Sequence, residues 1–194
     1  MKKKRGKKNL FGKILLLFLL IGIVSISLYL FHEKIAHFLK PWLVKWEVLE
    51  EKKEVVLYFS DSESQYLVGE KRKISKKNDL REEGKETIHE LIKGPRGKLI
   101  PTLPSRTKLL NLQIHGGRAR VNFNSTLTTD HPGGSSAELM TVYSIVNTLT
   151  SNFPQIKQVQ ILVNGKPIET ITGHLSLREP ILPKPDLIKT EIPP

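Results

Sequence analysis

Residues 14–31 read ILLLFLLIGIVSISLYLF, a run with no charged side chain, and this run limits what the rest of the chain can be. As a helix rising ~1.5 Å per residue it would span ~27 Å, close to the ~30 Å hydrocarbon core of a bilayer. Lys2, Lys3, Lys4, Arg5, Lys7, Lys8 and Lys13 come before it. Positive charge on that side predicts an N-terminus kept in the cytoplasm, with everything after Phe31 outside the inner (cytoplasmic) membrane, on its periplasmic side. A cleaved signal peptide is the rival. Its apolar core would be ~7–15 residues and would end at small residues. Here the run is longer and ends in Leu28, Tyr29, Leu30, Phe31 and His32. A retained single-pass anchor is therefore expected.

The 194 residues leave room for one soluble domain after such an anchor. Ten Lys or Arg against three Glu in residues 1–50 account for +7 of the net charge of +12. Much of the basicity is thus topology signal, and the modest remainder would favour anionic lipid headgroups or wall polymers. There is no cysteine, which excludes disulfides, thiolate metal sites, a cysteine nucleophile and a lipidated cysteine anchor.

Five regions are expected: a basic N-terminus at 1–13, the transmembrane helix at 14–31, a juxtamembrane linker at 32–53, a domain at 54–174 and a proline-rich tail at 175–194. Tyr29 at the end of the apolar run, with Trp42, Trp46, Lys34, Lys40 and Lys45 of the linker, would form an interfacial belt on the headgroups, or else the linker is a short amphipathic stalk continuing the anchor past Pro41. In the domain Val55–Phe59 (VVLYF) reads as a buried strand and Tyr66–Ile74 as a second. Asp79 with Glu82 has the spacing of a capping box. The helix it opens carries Leu80, Gly84, Thr87, Ile88, Leu91 and Ile92 on one face and ends at Gly94-Pro95. Leu110, Leu112 and Ile114, then Ala119, Val121 and Phe123, alternate about Gly116-Gly117 as a hairpin. Ser135 with Glu138 repeats the capping-box spacing before a stripe of Leu139, Val142, Tyr143, Val146 and Leu149. Val159, Ile161 and Val163 share a strand face, Asn164-Gly165 turns, and Ile168–Ile171 is expected to return. The tail should be extended or disordered. The order ββαββαββ predicts an α+β fold, a small two-layer α/β sandwich.

No catalytic, cofactor-binding or metal-binding residue stands out. His32, His37, His89, His115, His131 and His174 form no close ligand motif, and surface histidine is the expectation for each. Asp61 and Glu63 share one side of a strand end and would suit acid–base work only in a cleft, so turn acids are expected. Asp130, His131 and Ser135 or Ser136 resemble a hydrolase set without a nucleophile elbow. Helix capping accounts for Ser135 and Glu138. Gly133-Gly134 could present N–H groups to an anion, but lacks the Gly-Lys-Ser/Thr of a nucleotide loop, so an entry turn is expected. Lys71, Arg72, Lys73, Lys76 and Lys77 form a basic cluster without interleaved aromatics, which argues against nucleic acid and leaves a solvated face or an anionic lipid or polymer contact. Tyr58, Phe59, Tyr66, Phe123, Tyr143 and Phe153 mostly fall on core faces, which disfavours sugar stacking.

The ordered series LYF at 57–59, LIKGP at 91–95, IPTLPSRTKLLNLQIHGGRARVNFN at 100–124 and GGSSAELMTVYSIVNTLTSNFPQIKQVQILVNGKPIETITGH at 133–174 resembles the GerMN domain family. That family is known from a spore germination and sporulation protein and from envelope lipoproteins. The resemblance implies a non-enzymatic module on the outer face of the cytoplasmic membrane, acting in a cell-envelope assembly through protein–protein contacts at sheet edges. It implies envelope proteins as partners, no cofactor and no nucleic acid. Binding to peptidoglycan or an anionic wall polymer, with weak hydrolysis, is the alternative, and Asp61, Glu63 and the 71–77 cluster would be its groups. Two departures stand out: one such domain in place of the sporulation protein's two, and a transmembrane anchor in place of a lipidated cysteine.

Overall fold

The computed structural model describes residues 7–44 and 51–189. The chain divides into two compact units, Met1–Leu49 and Glu50–Pro194. The first unit is one helix, α1 (Lys7–Val44). Its Gly12–Phe31 portion is long and apolar enough to cross a membrane, and none of it is buried in protein. Phe18 and Leu16, for example, are 68 % and 64 % exposed. By length and composition this helix is a candidate membrane span or signal sequence. The backbone stays helical through Pro41. The aromatic-belt reading rests on Lys40, Trp42, Lys45 and Trp46, whose side chains lie outside the described residues.

The second unit opens with β1 (Lys52–Ser60) and β2 (Leu67–Ser75), paired antiparallel in register from Lys52↔Ser75 to Ser60↔Leu67. Between them the Asp61 carboxylate accepts the Gln65 N–H at 2.9 Å and the Tyr66 N–H at 3.3 Å, closing the turn. Helix α2 (Leu80–Ile92) starts where the Asp79 side chain accepts the Arg81 N–H. It buries Gly84, Thr87, Ile88 and Leu91, most of the expected face. Glu82 does not complete a box. It pairs instead with Lys85 at 2.8 Å.

Strands β3 (Leu109–His115) and β4 (Arg118–Phe123) form the expected hairpin. Its alternation is broken by a register shift between Leu109 and Asn111, so Leu110 is 50 % exposed and Leu109 turns inward instead. A short helix, α3 (Thr126–Thr129), and the long α4 (Ser135–Asn152) lead to β5 (Gln158–Val163), which pairs parallel to β4. Asn164 and Gly165, at φ 49° and 81°, make the left-handed turn that Asn-Gly favours. The returning strand β6 is only Lys166–Pro167, not Ile168–Ile171.

The α+β class therefore holds, with two amendments to the expected order. A short helix precedes α4, and the strands divide into a two-stranded sheet (β1-β2) and a mixed four-stranded sheet (β3-β4-β5-β6). One core joins them. Val55, Leu57 and Phe59 of β1 meet Val121 and Phe123 of β4, Ile161 of β5, Ile88 and Leu91 of α2, and Ile145, Val146 and Leu149 of α4, each at most 1 % exposed. Burying one such side chain stabilises by roughly 1.5–3 kcal/mol.

Residues 175–189 depart from the expected tail. They are extended, but Leu177 is completely buried and belongs to the core. Ile181 pairs antiparallel with Val159, Pro185–Leu187 makes a 3₁₀ turn, and Ile188 bridges Leu67. The tail's prolines do not prevent this, because a single line of chain on a sheet edge needs few N–H donors.

Candidate functional site

Few of the groups that sequence singled out converge in space. The Asp61 carboxylate is committed to its turn, and Glu63 is exposed beside it. The 71–77 cluster is largely neutralised. Arg72, 3 % exposed, donates through Nε to Glu70 at 2.6 Å, through Nη1 to Glu90 at 3.1 Å and through Nη2 to the Gly94 carbonyl at 2.9 Å. Lys71 pairs with Glu54 and Lys76 with Glu51. These groups make an internal ion network with a solvated rim. Among the described residues no three His, Asp or Glu converge as metal ligands. His89 and His115 are exposed, and the side chains of His32 and His37 lie outside the described residues. Of the domain's aromatics Tyr66 alone is exposed, at 43 %.

The Asp130, His131, Ser135 and Ser136 set does not assemble. Asp130 pairs with Arg106, and both serines point into solvent. His131 accepts the Gly133 N–H on Nδ1 at 3.0 Å, so its proton sits on Nε2 and is donated to Thr141 Oγ1 at 2.9 Å. Thr141 in turn donates to the Thr102 carbonyl. Burial lowers the His131 pKa and outweighs the nearby Glu138 charge, which keeps the ring neutral.

Glu138 corrects the sequence reading. It does not cap α4. Gly134 is the N-cap, with φ 85° and no side-chain bond, and Ser135 is already helical. The Glu138 carboxylate is fully buried. Its Oε1 accepts the Thr170 hydroxyl, the Ile171 N–H at 2.8 Å and the Thr172 N–H at 3.1 Å. Its Oε2 accepts the Thr172 hydroxyl at 3.0 Å, the His174 N–H at 2.9 Å and His174 Nδ1 at 3.1 Å. Burial pushes the carboxyl pKa up, but these donors outweigh it and hold the group down to about 2. Residues 170–174 wrap an anion that the chain itself supplies, which is why β6 stops at Pro167.

Partner contact through sheet edges depends on which edges are free. β1 is sealed along its outer side. Asn152 of α4 accepts the Val56 N–H and donates to the Val56 carbonyl, Thr148 accepts the Tyr58 N–H, and Ser60 exchanges two backbone bonds with Ile100. At β2 the Leu67 carbonyl accepts the Lys189 N–H. The far side of β5 is taken by Ile181 and β6. Among the described residues β3 ends its sheet without a strand beyond it. On its open side Asn111 Oδ1 accepts the Leu112 N–H, exposed Leu110 stands at its start, and a groove of about 490 Å³ runs from Leu109 to Ile92 and His89 of α2. The outer face of the same sheet is polar and carries Arg118 and Arg120 beside Gln113 and His115.

Residues 56–169, more than half of the chain, match the Germane family, described as sporulation and spore germination. The chain belongs to the Germane family. Its Germane domain is similar in fold to the first GerMN domain of the sporulation protein GerM from Bacillus subtilis, with a TM-score of 0.56 at 21 % identity over 69 % of this chain and 99 % of that one. It is also similar to the tandem GerMN domains of that protein, with a TM-score of 0.53 at 20 % identity over 70 % of this chain. It spans 48 % of the tandem pair, which fits one domain of the two. A protein from Clostridium perfringens described as a lipoprotein is 27 % identical, with a TM-score of 0.51 over 73 % of this chain and 95 % of that one. No curated protein matches the sequence. The Germane match ends at residue 169, before the segment that wraps Glu138.

Proposed function

We propose that this chain is a single-pass membrane protein that displays one Germane domain on the outer side of the cytoplasmic membrane, as a non-catalytic docking module in a sporulation- or germination-like envelope assembly. The observation that carries this reading is the pairing, in one chain, of a Germane match over 56–169 with an apolar, uncovered helix at Gly12–Phe31. A lipoprotein relative of similar fold supports membrane attachment. The open β3 edge is the docking surface, because a partner strand can add there beside the groove that runs to α2, while β1 is occupied along its outer side and β2 is engaged at Leu67. The hydrolytic alternative loses its groups, since Asp61 holds a turn and the 71–77 cluster is internally paired.

In-cell crosslinking tests the proposal. A photo-crosslinking residue at Leu110 should capture a recurrent envelope protein that an anchor-only chain does not capture, and the same probe at Val56 should capture far less. Substituting Leu110→Lys, a charge on the edge, should reduce capture without unfolding the domain. Equal capture at 56 and 110, or none above the anchor-only control, would reject docking at β3.

A further inference from the structure

From Leu91 to Thr129 the chain contains no Asp or Glu, yet it carries Lys93, Arg96, Lys98, Arg106, Lys108, Arg118 and Arg120. Lys93 and Arg96 lean on Glu90, and Arg106 pairs with Asp130. The side chains of Arg118 and Arg120 have no ion pair or hydrogen bond among the described residues. Both are exposed and lie two apart on β4, so they project from one face of the sheet about 7 Å apart. In register His115 stands across from Arg118 and Gln113 from Arg120. Together with Gly116 they line an open cleft of about 530 Å³. β3, β4 and β5 contain no acidic residue, and among the described residues no carboxylate forms an ion pair with either guanidinium group.

The chemistry of the face limits its ligand. Two forked, unpaired guanidinium groups suit phosphate or carboxylate oxygens. No aromatic side chain lines the cleft, which removes the stacking platform that a single-stranded nucleic acid would use. No apolar side chain lines it either, so the face has nothing to insert into a bilayer interface. The neighbouring amide of Gln113 can both donate to and accept from hydroxyl groups. We propose that Arg118 and Arg120, with Gln113 and His115, form a binding site for a polyol-phosphate polymer, whose phosphates lie on the guanidinium groups and whose hydroxyls meet the amide. This goes beyond docking at β3 and uses a different surface, so failure to find a protein partner leaves it standing.

The test is calorimetric titration of the full chain, in a non-ionic detergent, with a synthetic glycerol-phosphate oligomer. Saturable binding that weakens steadily with added salt is expected. The double substitution Arg118→Gln and Arg120→Gln should weaken binding by about tenfold or more, as expected for losing two charge-assisted contacts. The control Lys98→Gln with Lys108→Gln removes the same charge elsewhere and should change affinity less than about twofold. All three proteins should melt at the same temperature, because the altered side chains are exposed and unpaired. The assignment fails if the wild type does not bind, or if the control pair loses as much affinity as the arginine pair. It also fails if poly-glutamate or vesicles of anionic lipid bind as tightly as the oligomer, which would mark general charge attraction.

Discussion

At Glu138 hydrogen bonds offset the cost of burying a charge. The ordinary carboxyl pKa is 4.5, and in the fold it is held to about 2. Between those values the unfolded chain binds the proton more readily, so the stabilisation is complete above about pH 4.5 and is lost as pH falls toward 2. The gap corresponds to about 3 kcal/mol. Urea unfolding of the full chain in detergent should therefore show stability falling steeply between pH 5 and pH 3. Glu138→Gln sets an NH₂ donor against N–H donors. It should cost roughly 2–4 kcal/mol at pH 7 and flatten that acid slope. His131 acts in another window. Its pKa lies below the usual 6.5, so stability falls as pH drops below that value, and this loss should persist in the Glu138→Gln protein. Residue spacing alone does not separate a capping glutamate from a buried one. Ser135 and Glu138 have capping-box spacing, but the N-cap lies one residue back at Gly134, and the burial and hydrogen bonds of the carboxylate show that it faces inward. A faint trace did exist in Thr170, Thr172 and His174, donors on alternate positions following the hairpin turn.

At the scale of elements, α4 does more than present an apolar stripe. Ile145, Val146 and Leu149 enter the core, while Thr148 and Asn152 supply the hydrogen bonds that a neighbouring strand would give β1, and Asn147 holds the Lys184 backbone through two bonds. Asn152→Leu should leave the Val56 N–H and carbonyl without partners, cost about 1–3 kcal/mol and raise amide hydrogen exchange at Val56 above that at Leu112. Unchanged exchange there would show that the edge is sealed by other means. The elements themselves were legible where a periodic pattern met a clear stop. VVLYF, the Asp79 start and the Asn164-Gly165 turn all read correctly. Leu110 did not, because a bulge shifts the side-chain alternation without leaving a turn residue behind. The return strand after Gly165 did not either, because the donors of residues 170–172 bind a carboxylate more than thirty residues away. The free β3 edge and the unpaired arginine face were not foreseen. Both depend on which other segments occupy the remaining edges and charges.

At the scale of the whole molecule, the absence of native cysteine makes topology directly measurable. In intact cells Ser62→Cys, in the exposed β1–β2 turn, should react with an impermeant maleimide. Lys8→Cys should react only after lysis, and both should remain in one full-mass, membrane-bound chain. A soluble product of reduced mass that lacks position 8 would establish cleavage instead. Residues 175–189 touch both sheets of the domain. Leu177 fills the core, Ile181 completes a ladder with Val159, and the Lys189 N–H bonds to Leu67 near the start of the domain. Residues 175–189 therefore act as a strap that plugs the interior at Leu177, lengthens the second sheet at Ile181 and reaches back to the first sheet at Leu67. Truncation after residue 174 would remove all three ties at once while leaving every long helix and strand in place.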